Sequence, residues 1–531
     1  MLNVKHPCDE AIVLAAPPPE RHAGAARPWV LAATILGSSL AFIDGTVVNV
    51  ALPALQRDLG ATVADVQWVV EAYALMLSAL LLVGGSLGDR LGRRRVYAVG
   101  VCVFAAASAL SGVAATVRQL VIARAIQGAG AALVVPGSLA IISASFVTQE
   151  RGRAIAIWSS FSALTSAAGP VLGGWLIEHL SWRSAFYANV PFGAAVLILL
   201  RRVPESRDPD ATGPLDWPGA VLVTIGLGGL VYGLVESPRS GHLWSALAVG
   251  TAALVAFAVV EARSRSPMVP PALFRSRTFT GANVLTFFLY GALGSTFFFV
   301  PMNLIQVQGY SATAAGAAGL PFVAIVFLLS PRSADLVDRF GARVPLVIGP
   351  TITAAAYVLL ARQGVGGSYW ATFFPPLVLL GLGMALSIAP LTTTVMNAVA
   401  AGHAGIASGI NNAVSRTGGL LTVALMGVLV LHVFDRELDR RLATASVAPD
   451  VVAAVRVERM KVAGADAPVD ATPRERDAVR RAVAEAFVAG FRAMALVAVV
   501  LALAAAAIAA VTIDGASRAP GCPRRVSRIS P

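Results

Sequence analysis

Long apolar runs alternate along this chain with short breaks rich in arginine. Runs of about 20 apolar residues, the length a helix needs to cross a bilayer, recur near 29–50, 67–87, 96–116, 120–142, 154–177, 185–201, 217–236, 243–261, 279–303, 314–333, 344–362, 370–397, 405–431 and 486–512. The pattern predicts fourteen transmembrane helices and an all-α polytopic membrane protein. An even number of spans puts both termini on one side. One set of short connections carries Arg90, Arg93, Arg94, Arg95, Arg151, Arg153, Arg201, Arg202, Arg207, Arg263, Arg265, Arg275, Arg277, Arg332, Arg339 and Arg343, and the opposite set only Arg57, Arg118, Arg183, Arg239 and Arg362. Arginine-rich short loops stay in the cytoplasm, so the first set and both termini, with the basic tail Arg518, Arg524, Arg525 and Arg528, are expected there. The protein is expected in the cytoplasmic membrane.

The stretch 432–485 is the one long hydrophilic segment within the membrane region, and the topology places it outside. Its end, PRERDAVRRAVAEAF, reads as a surface helix leading into the last span. The first apolar run follows about 27 polar or proline-rich residues and precedes many more spans, unlike a cleaved signal peptide, so it is expected to remain as the first helix.

Composition narrows the function. At 531 residues, 56% hydrophobic and 13% charged, with mean hydropathy +0.73, the chain falls in the integral-membrane class. The net charge of +12 lies in the short loops, where it sets topology, so no nucleic-acid partner is expected. Lys5 and Lys461 are the only lysines, and neither ends a G-x-x-x-x-G-K phosphate loop. Cys8, Cys102 and Cys522 have no disulfide or metal-ligand spacing. The absence of H-E-x-x-H argues against an enzyme, and no cofactor or metal is expected.

Gly84–Tyr97, GGSLGDRLGRRRVY, sets an aspartate and four arginines directly after an apolar run. Its glycines permit a short turn, and its spacing, Gly85-x-Leu87-x-Asp89-Arg90-x-Gly92-Arg93-Arg94, resembles the signature loop between the second and third helices of the major facilitator superfamily. Ala334–Arg343 repeats the Asp-Arg-x-Gly pattern at Asp338-Arg339-Phe340-Gly341, as expected of a parallel internal repeat. The implied fold is two six-helix bundles, 29–202 and 279–512, with two additional central helices and linkers in 203–278. Cytoplasmic tails occupy 1–28 and 513–531, and 432–485 is an extracellular loop.

Further motifs make the resemblance specific. Ile43-Asp44-Gly45-Thr46-Val47-Val48-Asn49-Val50-Ala51-Leu52-Pro53 is similar to the first-helix motif of the fourteen-span drug:proton antiporters of that superfamily. Leu120-x-x-x-Arg124-x-x-Gln127-Gly128-x-Gly130 is similar to their fourth-helix motif, and Gly169-Pro170-x-x-Gly173-Gly174 to their fifth-helix antiporter motif. Ser181-Trp182-Arg183 through Asn189-Val190-Pro191-Phe192-Gly193 also fits. Two positions depart from the pattern: Thr165 replaces a glycine, and Tyr97 an aliphatic residue. The resemblance implies a functional monomer that exchanges inward protons for an amphipathic organic compound (drug, antibiotic or secondary metabolite) by alternating access, powered by the proton gradient. The alternative is a proton symporter importing a small metabolite or peptide, against which the Gly169-Pro170 element and the extra helices argue.

An ionisable side chain within a span costs roughly 2.5–3.5 kcal/mol on insertion scales, so Asp44 should face a cavity or a partner. Burial penalises its charged form, which suits a group that binds and releases a proton; the competing reading is a packing aspartate bonded to Thr46 or Asn49. Arg124 would hold a carboxylate ionised until protonation breaks the pair, or would fix helix packing, and the resemblance favours coupling. Glu71, one turn into its span, reads equally as a second proton carrier or as a wet interfacial carboxylate. Arg416 is expected to be structural, and Glu178 and Glu236 to be solvated span ends. Gly85, Asp89, Arg90, Gly92 and Arg93 form a candidate conformational latch. Asn49, Gln127, Phe287, Phe298, Asn303, Asn411 and Asn412 are candidate substrate-cavity residues, and no dense ring of anions points to a polycationic substrate.

Overall fold

A computed structural model describes residues 23–208, 215–240, 243–264, 267–400, 403–445 and 447–513. The expected basic tail beyond Ile513 and the first 22 residues lie outside that description. Among the described residues, fourteen helices are long and apolar enough to span a membrane. The first bundle consists of α1 (Ala23–Leu59), α2 (Val63–Leu91), α3 (Arg93–Val113), α4 (Val117–Ser145), α5 (Thr148–His179) and a broken sixth span, α6 (Trp182–Tyr187) with α7 (Asn189–Leu200). The additional pair is α8 (Trp217–Ser240) and α9 (Leu243–Arg263). The second bundle comprises α10 (Arg277–Met302), α11 (Ala312–Ala318), α12 (Leu320–Phe340), α13 (Arg343–Leu360), α14 (Tyr369–Thr372), α15 (Phe374–Asn397), α16 (Ala404–Thr444), α17 (Pro449–Glu458) and α18 (Pro473–Thr512).

Helix starts follow local chemistry. Thr62 and Asp65 form a reciprocal capping box at α2, and Thr472 and Glu475 another at α18. Thr116, Ser276 and Ser311 accept from backbone N–H groups in the first turns of α4, α10 and α11. The two related turns end alike: α2 stops before Gly92 at φ +112° and α12 before Gly341 at φ +76°. A side chain is strained at such angles, so the Asp-Arg-x-Gly repeat is also a repeat of backbone conformation.

The 432–485 stretch is mostly helical, because α16 continues to Thr444 and α18 begins at Pro473. Glu437 accepts from Arg440 and Arg441, one turn away, the pairing that supports a helix outside lipid. Segment 447–472 packs across this end of the molecule, here termed the far end; the Gly85–Arg95 turn marks the near end.

Within the first bundle α2 and α3 pack on α4, and α1 on α5; in the second, α13 packs on α15 and α18, and α10 on α16 and α18. The bundles meet along α2 with α16 and along α5 with α11. The additional pair packs on itself and, through α8, on both α2 and α16. There Leu227, Val231 and Val235 are buried against Ala64, Leu420 and Ala424, and Trp68 Nε1 donates to Glu236 Oε1 at 2.9 Å.

Tyr97, the departure in the turn motif, is fully buried. Its hydroxyl donates to Ala33 O at 3.3 Å and accepts from Ser138 at 3.2 Å, joining α1, α3 and α4. A phenol is satisfied there, where an aliphatic residue would leave these groups unbridged.

Candidate functional site

Asp44 lies in the middle of α1 and is 3% exposed, with Arg124 of α4 at 1%. Arg124 Nη1 donates to Asp44 Oδ2 and to Gln127 Oε1 at 2.9 Å. Gln127 Nε2 and Asn189 Nδ2 donate to Asp44 Oδ1 at 2.9 and 3.2 Å. Arg124 Nε donates to Val69 O at 3.0 Å, and its guanidinium carbon lies 4.3 Å from the Tyr73 ring centroid, a cation–π contact. Asn189 also donates to Ser108 Oγ at 3.0 Å, and Ser108 to Phe186 O at 2.9 Å. Helices α1, α2, α3, α4 and α7 thus converge on one carboxylate.

The packing reading of Asp44 named Thr46 and Asn49 as partners. Both instead bond backward along α1, Thr46 to Phe42 O and Ile43 O and Asn49 to Gly45 O. A buried ion pair is stable only when its remaining hydrogen-bonding capacity is met, and the two amides meet it. Removing the Asp44 charge would leave Arg124 held through Val69 and Tyr73, both on α2. Asn189, read in the sequence only as part of a matching segment, and Ser108 were given no role there, because a neutral amide and a serine carry no intramembrane penalty to mark them.

Glu71 is not at a wet interface. It is 1% exposed, and neither carboxyl oxygen has a hydrogen-bond partner among the described residues. Arg416 on α16 has a buried Nε with no hydrogen-bond partner among the described residues. Glu178 is exposed, as expected, and accepts from Thr313 N at 3.2 Å and Thr313 Oγ1 at 2.6 Å; Glu236, expected to be solvated, is half-buried and accepts from Trp68.

Of the candidate cavity residues, Gln127 belongs to the Asp44 cluster. Phe298 is 1% exposed in the packed core against Phe299, and Asn303, fully buried, accepts from Gln308 at 3.1 Å. None of these three faces open space, because each is enclosed by neighbouring helices or by the turn after α10. Asn411 ties α16 to α10 by donating to Thr286 Oγ1 at 2.7 Å and Asn283 Oδ1 at 3.2 Å. Asn49 and Phe287 are half-buried, and Asn412 is exposed.

The Gly169-Pro170-x-x-Gly173-Gly174 segment is a three-helix junction. A methyl group on Gly169 would stand 3.4 Å from Ile43 Cα and one on Gly173 2.6 Å from Val47 Cγ1, so α5 lies directly on the turn of α1 that carries Asp44. Gly174 faces the second bundle, where a methyl would stand 2.7 Å from the Ala312 carbonyl carbon; Gly316 of α11 faces Pro170 in return. Nearby, Gln306 donates to Gln56 Oε1 at 2.8 Å and Gln56 to Lys461 O at 3.3 Å. These contacts join the bundles at the far end.

At the near end Asp89 Oδ1 accepts from Arg93 Nε and Nη2, both at 2.8 Å. The start of α3 is capped by Glu205, which the sequence reading missed: its carboxylate accepts from Arg94 N at 2.9 Å and Arg95 N at 3.2 Å. Arg93 N donates to Ser206 O and Asp208 N to Asp89 O, each at 2.9 Å. The turn is thereby tied to the segment leaving α7. Asp89 is thus held by an arginine across the turn, while Glu205 takes the helix-start N–H groups. Gly85 sits in ordinary contact with Pro136 of α4, 3.6 Å from where a methyl would be.

Comparison with known proteins agrees with this architecture. A sequence profile described as the Major Facilitator Superfamily matches residues 34–423. The chain is 34% identical over 501 residues to a tetracenomycin C resistance and export protein of Streptomyces glaucescens, covering 92% of each. It is 36% identical over 414 residues to a puromycin resistance protein of Streptomyces alboniger, covering 76% of this chain and 82% of that one. Among solved structures it resembles an inward-facing bacterial homologue of the human lysosomal transporter Spinster, with TM-score 0.63, 18% identity, and 92% of this chain and 97% of that one covered.

Proposed function

The chain belongs to the Major Facilitator Superfamily, and from that premise we propose that it exports an amphipathic organic compound across the cytoplasmic membrane in exchange for protons. The relatives' names, resistance and export proteins for antibiotics, support the export of a drug or secondary metabolite. The observation that carries the proton coupling is the enclosed Asp44–Arg124 pair, a charge whose neutralisation changes how α1 is bound to α2 and α4. Protonation of Asp44 weakens its hold on Arg124, frees α1 against its neighbours and biases the bundles toward the other access state. Glu71 is assigned as an auxiliary proton site.

With the arginine-rich connections in the cytoplasm, both termini are cytoplasmic and the far end faces outward. The outer contacts of α5 with α11, and of Gln56 with Gln306 and Lys461, then support a state closed to the outside. The protein acts as a monomer and takes its energy from the proton gradient. In cells expressing it, a fluorescent substrate is expected to accumulate less than in control cells, and an uncoupler to restore accumulation. Uptake that rises with expression and falls with the uncoupler would favour the importing symporter.

The Asp89 turn is assigned as a state-dependent latch. Its pair with Arg93 is partly solvated, worth about 0.2–1 kcal/mol, so Asp89→Ala is expected to lower turnover about 1.4–5-fold with substrate KM unchanged. Transport assays at saturating and limiting substrate check this; unchanged turnover would reduce the turn to a topological anchor.

A further inference from the structure

The seam between α2 and α16 carries more polar chemistry than it satisfies. On α2, Gln67, Glu71, Ser78 and Leu82 follow at helical spacing and share one face. On α16, Gly409, Arg416 and Val423 repeat every seven residues on one face. The two faces are pinned together at both ends: Gln67 Nε2 donates to Val423 O at 3.1 Å, and a methyl on Gly409 would stand 3.1 Å from Leu82 Cδ2. At about 1.5 Å rise per residue, Arg416 falls midway between the pins, opposite the stretch from Glu71 to Ser78. Arg416 Nε, Ser78 Oγ and both Glu71 oxygens are buried without a hydrogen-bond partner among the described residues. Exposed Asn412 stands one turn before Arg416.

Buried polar groups are normally satisfied, and an unmatched guanidinium donor is the costliest kind to leave open. Resting on the export reading, we propose that Arg416 and Ser78 form a subsite for an oxyanion (carboxylate, phenolate or enolate) on an otherwise apolar exported molecule. The Arg416 N–H and the Ser78 hydroxyl donate to the oxyanion. The Asp44–Arg124 pair is already neutral as a unit, so Arg416 is the cation left to select the cargo's charge.

The test uses everted membrane vesicles with an imposed proton gradient and two probes, anionic fluorescein and cationic ethidium. Loss of a charge-assisted hydrogen bond corresponds to about a tenfold or larger effect. Arg416→Gln is therefore expected to raise the fluorescein KM at least about tenfold while leaving ethidium transport near wild type. Arg416→Lys should retain most fluorescein transport, and Ser78→Ala, a change the fold tolerates, should raise its KM about threefold or more. Ethidium export by the wild type without fluorescein export, or fluorescein kinetics unchanged in Arg416→Gln and Ser78→Ala, would overturn the oxyanion subsite and leave the export reading standing. Equal loss of both probes in Arg416→Gln and Glu71→Gln would also overturn it, showing that Arg416 pairs with Glu71 in the other access state. If the wild type moved neither probe against a gradient, the export reading itself would fall.

Discussion

Asp44→Asn is expected to abolish proton-driven export, lowering gradient-dependent efflux at least about a hundredfold, while the protein still inserts. The amide keeps the shape and can still accept from Gln127 or Asn189, but it cannot exchange a proton and cannot balance Arg124. Removing one partner of a buried pair costs about 3–5 kcal/mol, because the other charge is left uncompensated. Asp44→Asn is therefore also expected to be thermally less stable than the double variant Asp44→Asn/Arg124→Gln, which has no buried charge to balance. The double variant recovers stability without recovering transport. Arg124→Lys should retain more transport than Arg124→Ala, since it keeps a cation near the carboxylate but loses the hydrogen bond to Val69. Melting of the purified variants, read beside vesicle transport, checks both orders. Normal gradient-driven efflux in Asp44→Asn would remove Asp44 from the coupling step.

Gly174→Val is expected to hold the far end apart. Backbone meets backbone where Gly174 faces Ala312, and no rotamer of a valine avoids a clash that already involves its Cβ. Overpacking of this kind costs about 1–3 kcal/mol, borne only when the two helices touch, which shifts the balance between access states by roughly 5–150-fold. Transport should fall by a similar factor. In a cysteine-free background, Thr313→Cys, half-buried in this state, should react slowly with a membrane-impermeant maleimide added outside, and faster when Gly174→Val is added. Equal labelling in the two backgrounds would show that this contact does not close the outer face.

What the sequence revealed depended on how strongly each feature contrasts with its surroundings. Apolar length is contrast with loops, so the spans were legible. Charge inside an apolar run is contrast again, so Asp44, Arg124 and Glu71 stood out. The turn at Gly92 was legible because few residues serve where φ is positive. Asn189 was not, because a neutral amide becomes a carboxylate ligand only through its position, and it lies 145 residues from Asp44. Glu205 was missed for the same reason: it caps a helix 111 residues away. The end of α16 was set too short because hydropathy marks where lipid stops, whereas Glu437–Arg441 pairing keeps that helix going in water; the helical start of α18 was read correctly from PRERDAVRRAVAEAF. The Thr472-x-x-Glu475 spacing was readable, and it marks the start of α18.

The additional helix pair touches both bundles, and that has a mechanical consequence. If the bundles rock, a helix seated on α2 and α16 at once cannot follow both, so one of its surfaces must slide in every cycle. Toward α16 the contact consists of aliphatic side chains, Leu227 and Val231 with Leu420 and Ala424, and such contacts have no preferred direction. Toward α2 the Trp68–Glu236 hydrogen bond is directional and fixes the helix in register. The pair is thus a bearing mounted on the first bundle, with its low-friction face turned to the second.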